Sequence, residues 1–191
     1  MGSMMAEQVG GGIKEGLDFV PVGIAVLTVS DTRMEDDDRS GQTLARRIEG
    51  AGHRVAAKAI VPDDAEAVAG QVRAWADDPG VAVVITTGGT GLTGRDVTVE
   101  AVRPLFAKEI DGFSVIFHMV SYRSVGLSTL QSRACAGIVR DASGEGGTFV
   151  FCLPGSTGAC KDGWDQVIAA QLDSRHRPCN LVDIMPRLGE R

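Results

Sequence analysis

The stretch Val81-Ala82-Val83-Val84-Ile85-Thr86-Thr87, followed at once by Gly88-Gly89-Thr90-Gly91, decides the fold. An unbroken run of apolar and β-branched residues is typical of a strand buried on both faces. The glycines end that strand abruptly. Similar runs at residues 23–29 and 148–153 predict two further buried strands. Such strands are typical of a parallel sheet that helices cover on both sides.

Helical patterns lie between these runs. Residues 40–48, 65–75 and 164–172 place their apolar side chains at helical spacing. Shorter strands are expected at residues 53–61 and 135–139, and another helix is expected near Thr98. The alternation of strands and helices predicts a three-layer α/β fold, with a doubly wound, mostly parallel sheet and right-handed crossovers.

Composition limits the function. The chain has 191 residues, of which 43% are hydrophobic, and 25 acidic against 19 basic side chains give a net charge of −6. This balance argues against disorder, against a coiled coil and against a nucleic-acid partner. No apolar run is long enough to span a membrane. We expect one domain over residues 20–191, preceded by a flexible tail at residues 1–19 that includes a cloning remnant.

The cysteines and histidines predict no metal cluster. The four cysteines, at positions 135, 152, 160 and 179, form no C-x-x-C pair, and the three histidines are widely spaced. A zinc site is therefore not expected. Reduced, mostly structural thiols favour a cytoplasmic location.

Polar or glycine-rich segments follow four of the predicted strands. They are Ser30-Asp31, Asp63-Asp64, residues 88–96 and residues 154–158. The carboxyl ends of parallel strands meet at one edge of the sheet, here called the carboxyl rim, where ligands bind in such folds. We therefore expect these segments to converge on one site.

The segment 88–96, here called the glycine loop, is the strongest chemical signal. Glycines at a strand-to-helix turn allow backbone amides to approach an anion, as Gly88, Gly89 and Gly91 would do. Hydroxyls at Thr90 and Thr93, and the charges of Arg95 and Asp96, suit a phosphate that carries a magnesium ion. The alternative is a tight turn in which the glycines serve backbone geometry only.

Two other nucleotide motifs compare poorly with the glycine loop. Its Gly89-x-Gly91-x-x-Gly94 spacing matches the dinucleotide fingerprint of dehydrogenases, but that fingerprint normally occupies the first strand-to-helix turn. It also requires an acidic residue at the end of the next strand, and a helical pattern follows here instead. No Gly-Lys-Ser/Thr completes a Walker loop.

A second anion site is expected at residues 154–158, here called the Pro154 loop. Gly155, Ser156 and Thr157 precede a long helix whose N-terminus carries partial positive charge. A plain helix cap by Ser156 is the alternative. The basic side chains expected to neutralise phosphates are Arg95, Arg133 and Lys161. The acidic run at residues 36–38 is interpreted as a solvated or mobile loop, which could close over a ligand.

Four segments together resemble the MoaB/MogA family of molybdenum cofactor biosynthesis. They are Gly88-Gly89-Thr90-Gly91, the aspartate at Asp96, Val61-Pro62-Asp63-Asp64, and Phe151-Cys152-Leu153-Pro154-Gly155-Ser156-Thr157-Gly158. The resemblance covers residues 20–180. The Pro154 loop is similar to that of the MoaB branch and lacks the Pro-Gly-Asn-Pro of the MogA branch.

The resemblance implies an activity and a set of site residues. The family's activity is adenylylation of molybdopterin, in which the pterin phosphate attacks the α-phosphate of ATP and releases pyrophosphate, with Mg²⁺. By resemblance, Asp63 and Asp96 are the catalytic carboxylates that orient magnesium or the attacking phosphate, and Ser30 and Asp31 contact substrate. Helix capping by Asp63 or Asp96 and a plain turn at Ser30 and Asp31 are the alternatives.

The resemblance also implies a homotrimer or homohexamer. An alternative of a different class is a noncatalytic oligomer that binds the pterin or a nucleotide and hands it on. Both carboxylates at the rim favour the enzyme, because a protein that only bound anions would gain from losing those negative charges.

Overall fold

A computed structural model describes residues 11–190. The strands are β1 (Gly12–Ile13), β2 (Gly23–Val29), β3 (Arg54–Val61), β4 (Val83–Thr87), β5 (Phe106–Glu109), β6 (Cys135–Arg140), β7 (Gly147–Leu153) and β8 (His176–Arg177). The helices are α1 (Arg39–Gly50), α2 (Ala65–Ala76), α3 (Thr98–Val102), α4 (Asp111–Val125), α5 (Thr157–Gly163) and α6 (Ala169–Leu172). A π-helical turn, Trp164–Ile168, joins α5 to α6, and 3-10 turns lie at Glu35–Asp37, Arg103–Leu105, Gly126–Gln131 and Val182–Arg187.

Six strands form one sheet in the order β3-β2-β4-β7-β6-β5. The first four are parallel to one another, whereas β6 is antiparallel to β7 and β5 is antiparallel to β6. The predicted α/β class with a mostly parallel sheet is confirmed. The reversed direction of β6 and the strand β5 were not predicted. The four residues of β5 are mostly exposed at the sheet edge, so they lack a buried apolar run that would mark a strand.

Apolar side chains cover both faces of the sheet. On one face the sheet is covered by the buried side of α1, α4 and the α5–α6 helix, with Leu44, Phe117 and Trp164. On the other face it is covered by the buried side of α2 and α3, with Trp75 and Val102. Both tryptophans are in the core, as predicted. The fold therefore has three layers, and the carboxyl rim is left for loops.

Two aspartates cap helices at the rim, and neither was assigned this role from the sequence. Asp64 is the N-cap of α2 and accepts a 2.8 Å hydrogen bond from the Ala67 amide. Asp63 is therefore not the cap, which leaves its carboxylate for other contacts. Asp38 is buried and caps α1 through the Gly41 amide at 2.9 Å. The prediction that residues 36–38 are all solvated is wrong for Asp38, because its carboxylate satisfies buried donors.

The predicted tail at residues 1–19 lies partly outside the described residues. Of the part that is described, β1 pairs antiparallel with β8, and the Phe19 ring lies 5.0 Å from the His53 ring. The Arg175 guanidinium stands 5.1 Å above the Phe19 ring. Residues 11–19 therefore contact the main fold near its C-terminal segment.

The cysteines are free thiols. Cys135, Cys152 and Cys160 are buried and Cys179 is exposed. Burial raises the pKa of the Cys160 thiol to about 11. None of the described helices has the length and hydropathy of a membrane span.

Candidate functional site at the carboxyl rim

The four predicted rim segments do converge. The Ser30 amide donates to the Val61 carbonyl at 2.9 Å, which joins the ends of β2 and β3. The Gly88 amide donates to the Leu153 carbonyl at 3.1 Å, which joins the ends of β4 and β7. Parallel pairing at matched register brings these four strands to one edge, so the polar loops lie side by side.

The glycine loop begins with two consecutive residues in the left-handed region. Gly88 has φ +103° and Gly89 has φ +61°. A Cβ on Gly88 would overlap the Val29 carbonyl, and one on Gly89 would overlap the Thr98 hydroxyl and reach within 3.2 Å of Asp63 Oδ1. Both positions therefore need glycine for backbone conformation and for close approach to neighbouring strands.

The Asp96 carboxylate holds the glycine loop closed. Its Oδ1 accepts from the Gly91 amide at 2.8 Å, and its Oδ2 accepts from the Thr93 amide at 2.9 Å and from the Thr93 hydroxyl at 2.7 Å. Partial burial opposes ionisation of Asp96, but these bonds and the charge of Arg133 outweigh it, so the pKa of Asp96 lies below its usual value. The ionised Asp96 carboxylate thus holds Gly91 and Thr93 of the loop together by hydrogen bonds.

Arg133 binds carbonyl oxygens of the same loop. Its Nε donates to the carbonyls of Thr90 at 3.2 Å and Gly91 at 3.0 Å, and its Nη2 donates to the Asp96 carbonyl at 3.3 Å. The Glu100 carboxylate pairs with both terminal nitrogens of its guanidinium. Arg133 therefore orients loop carbonyls, and its charge is already paired, which is a different use from the phosphate contact expected for it.

These contacts decide which loop amides are free to meet an anion. The Gly88 and Gly91 amides donate to Leu153 and Asp96, as described above. The amides of Gly89 and Thr90 have no acceptor among residues 11–190. Thr90 as a whole is buried, so Gly89 is the more accessible of the two residues. Arg133 thus engages the carbonyls of Thr90 and Gly91, and the Gly89 and Thr90 amides remain without a partner among the described residues.

Asp31 and Asp63 are joined across the rim. Each residue's amide donates to the other's carboxylate, at 3.1 Å to Asp63 Oδ2 and 3.0 Å to Asp31 Oδ1. Arg95, which is largely exposed, forms an ion pair with Asp31 Oδ2. Ser30 holds the turn that follows β2, because its hydroxyl accepts from the Thr32 and Arg33 amides.

The charge of Asp96 influences the carboxylate of Asp63. Partial burial raises the pKa of Asp63, and the negative charge of Asp96 raises it further. A cation between them would relieve that repulsion. The described residues contain no group of three or more His, Cys, Asp or Glu side chains arranged for a metal ion. Magnesium usually binds through one or two carboxylates together with substrate phosphates.

The Pro154 loop lies against the glycine loop. A Cβ on Gly155 would come within 3.1 Å of the Gly88 Cα, so the two backbones are in close contact. The Ser156 hydroxyl accepts from the Ala159 amide at 3.1 Å and caps α5. Thr157 is the first residue of α5, and Lys161 is exposed one turn further along. Ser156 therefore performs the capping role that the sequence left open.

Arg33 and Glu100 belong to the site but were not identified from the sequence. Arg33 Nη1 donates to the Ser40 hydroxyl at 2.6 Å, and its Nη2 donates to the Gly155 carbonyl at 3.1 Å. Glu100 is the carboxylate that pairs with Arg133. A single arginine in a polar loop and an acidic residue in the first turn of a helix carry no local signal of these long-range contacts.

Comparison with known proteins agrees with this geometry. A family model described as a probable molybdopterin binding domain matches residues 25–174. The chain belongs to this family. It is 48% identical over 164 residues to molybdenum cofactor biosynthesis protein B of Escherichia coli strain K12, covering 86% of this chain and 93% of that protein. The family predicted from the glycine loop and the Pro154 loop is thereby confirmed.

Solved structures of the family share the fold. A crystal structure of a molybdenum cofactor biosynthesis protein B superposes with a TM-score of 0.78 at 39% identity, covering 90% of this chain and 98% of that one. A structure described as the molybdopterin biosynthesis enzyme MoaB of Thermus thermophilus superposes with a TM-score of 0.65 at 29% identity, covering 88% of this chain and 94% of that one. This chain is a MoaB homologue with a molybdopterin-binding domain.

Proposed function

We propose that this MoaB homologue adenylylates molybdopterin. In this reaction a phosphate oxygen of the pterin attacks the α-phosphorus of ATP, a new P–O–P bond forms, and pyrophosphate leaves with the electron pair of the broken bond. The observation that carries the proposal is the glycine loop, whose Gly89 has an amide without an acceptor among residues 11–190 and lies beside the Asp63 carboxylate. Transfer between phosphates depends on positioning and charge neutralisation more than on a protein nucleophile.

Each rim residue has a role in this scheme. The Gly89 amide binds a phosphate, and Asp96 and Arg133 keep the loop in the conformation that presents it. The Pro154 loop, with Gly155, provides the neighbouring phosphate position. Magnesium bound with the substrate phosphates would neutralise developing charge, and Asp63 and Asp96 are the residues that would hold it. Asp31 fixes the Asp63 loop and gives Arg95 a counter-charge.

The experiment incubates the chain with molybdopterin, ATP and Mg²⁺ and measures pyrophosphate together with the adenylylated pterin. We expect both products in equal amounts. Pterin or ATP binding without either product would support the noncatalytic carrier and overturn the proposed reaction. Binding of nicotinamide dinucleotides, with no affinity for ATP or pterin, would restore the dehydrogenase interpretation of the Gly89-x-Gly91-x-x-Gly94 spacing.

We also infer that the chain assembles as a homotrimer or homohexamer through α4 and the 3-10 turn that follows it. The helix is apolar on the side away from the sheet as well as on the buried side, a pattern that a soluble surface helix does not normally show. The exposed apolar side chains of this face are Val115, Ile116, Met119, Tyr122, Val125, Leu127 and Leu130. Beside it, a groove of about 660 Å³ runs between α4 and the last helix.

Light scattering after gel filtration tests the assembly. We expect the mass of a trimer or hexamer for the parent chain and of a monomer for the double variant Met119→Glu, Leu127→Glu. Ile13→Glu places the same charge on an exposed apolar residue outside this face and is expected to leave the mass unchanged. A parent chain that elutes as a monomer at micromolar concentration would contradict the inference. The free cysteines favour a reducing compartment for this assembly, consistent with the cytoplasm.

A further inference from the structure

Three arginines reach the carboxyl rim, and their charges are used differently. Arg95 is paired with Asp31, and Arg133 is paired with Glu100. Arg33 forms no ion pair with any carboxylate among residues 11–190. Of these three rim cations, Arg33 is therefore the one whose charge no ion pair of the described residues neutralises.

The Arg33 guanidinium is held in place by neutral oxygens. It donates to the Ser40 hydroxyl at 2.6 Å and to the Gly155 carbonyl at 3.1 Å. The Ser40 hydroxyl in turn donates to Asp38 at 3.2 Å, and Asp38 also accepts from the Thr28 hydroxyl at 2.6 Å. The Asp38 carboxylate is thus occupied by buried donors. Arg33 is held in place through Ser40 and forms no ion pair with Asp38.

The guanidinium still has donors to offer. It carries five N–H groups, and two of them account for the bonds to Ser40 and Gly155. The Nε group and one N–H on each terminal nitrogen have no acceptor among the described residues. A preorganised arginine with spare N–H groups suits two-point contact with phosphate oxygens.

The position of Arg33 places that contact within the rim. Gly155, whose carbonyl it holds, lies against Gly88 at the start of the glycine loop. The Arg33 backbone amide is also fixed, by a 3.2 Å hydrogen bond to the Ser30 hydroxyl. Backbone and side chain are thus both anchored between β2 and the Pro154 loop.

We propose that Arg33 is a phosphate-binding residue of this site and contacts a phosphate seated between the glycine loop and the Pro154 loop. The proposal rests on the proposed function, because that function supplies the two phosphate-bearing substrates. The phosphate belongs either to ATP or to the phosphate monoester of the pterin, and separate measurements with each substrate distinguish the two.

Isothermal titration of Arg33→Met tests the proposal. The probes are ATP with Mg²⁺, adenosine, molybdopterin and its dephosphorylated form. Loss of a charged hydrogen-bond pair is expected to weaken one phosphorylated probe by about 10- to 100-fold and to leave its phosphate-free counterpart unchanged. Arg33→Lys, which keeps the charge without the planar fork, is expected to recover part of the loss.

Two controls separate charge from structure. Arg39→Met removes an exposed cation at the start of α1 and is expected to bind all four probes like the parent. Ser40→Ala removes one anchor of Arg33 but keeps its charge, and is expected to weaken the phosphorylated probe less than Arg33→Met does. Equal weakening by both variants, or equal loss of the phosphate-free probe, would assign Arg33 a structural role and overturn the proposal.

The two proposals fail in different ways. If Arg33→Met binds the phosphorylated probes as tightly as the parent chain does, the role of Arg33 is overturned and the adenylylation proposal is unaffected. A parent chain that binds none of the phosphorylated probes overturns both.

Discussion

The carboxylates of Asp31 and Asp63 each accept a hydrogen bond from the other residue's backbone amide, at 3.0 and 3.1 Å. This exchange locks the loop after β2 to the loop after β3. It also leaves Asp63 Oδ1 facing Gly89 of the glycine loop. The two loops are therefore joined to each other, and the Asp63 carboxylate lies where they meet the glycine loop.

Asp63→Asn is expected to abolish adenylyl transfer and to make the fold more stable above about pH 4. Burial and the Asp96 charge raise the pKa of Asp63, so the folded state binds the proton more strongly than the unfolded state does. Ionisation of Asp63 therefore costs stability as pH rises from the unfolded pKa through the folded one. Thermal unfolding of both proteins from pH 3 to pH 7 measures this, and a variant less stable at pH 7 would contradict it.

Asp96→Ala is expected to destabilise the fold by about 1–3 kcal/mol at pH 7, because three donors lose a charged acceptor. The folded pKa of Asp96 is lowered, so its contribution is present above the unfolded value and disappears as pH falls through the folded value. Transfer activity should fall as the loop opens. Asp36→Ala changes an exposed carboxylate near the same rim and should alter neither property.

Gly91→Ala and Gly94→Ala compare two glycines of the same loop. A Cβ on Gly91 would lie 2.7 to 2.9 Å from the Asp96 carboxylate atoms, whereas one on Gly94 would have nothing within 4 Å. Activity should drop at least tenfold in the first variant and stay within about twofold in the second. Faster hydrogen exchange across residues 88–96 should accompany the loss. Equal activity of the two variants would show that the hydrogen bonds of Asp96 within the glycine loop do not contribute to activity.

Arg133→Met is expected to lower kcat/KM by about 100-fold while thermal stability falls only slightly. The loss follows from release of the Thr90 and Gly91 carbonyls, which would let the loop amides turn away from the phosphate. Arg187→Met, which breaks an exposed pair with Glu190 away from the rim, serves as the matched control. Unchanged ATP affinity and turnover in Arg133→Met would refute this role.

His53 makes the fold sensitive to mild acid. Burial lowers the pKa of His53, although the charge of Asp173 partly opposes this. The neutral ring accepts the Val22 amide at Nδ1, so its stabilising contribution is present above pH 6.5 and is lost as pH falls through the folded pKa. Denaturant unfolding from pH 8 to pH 5 should show this decline. His53→Gln should be less stable at pH 8 and should flatten the curve.

The sequence predicted the sheet and the position of the rim, because long buried strands and glycine-rich turns leave strong local patterns. It left helix capping by Asp63 as an alternative, because Glu66 follows three residues later as in a capping box, whereas the backbone geometry selects Asp64 as the cap of α2. It also assigned Arg133 to phosphate. Arg133 pairs with Glu100 across a separation of 33 positions, and Arg33 binds Gly155 across a separation of 122 positions. Contacts at such separations lie beyond the range of any spacing rule.

The reversed strand β6 has a consequence for how this site can change. Because it runs against its neighbour β7, its first residues and not its last lie at the carboxyl rim, next to Arg133. Arg133, which binds the carbonyls of the glycine loop, therefore belongs to the connection between α4 and β6. This connection does not follow any of the parallel strands. Shortening or lengthening that connection would move Arg133 and so change the conformation of the glycine loop. The turns that follow the parallel strands would keep their own sequences.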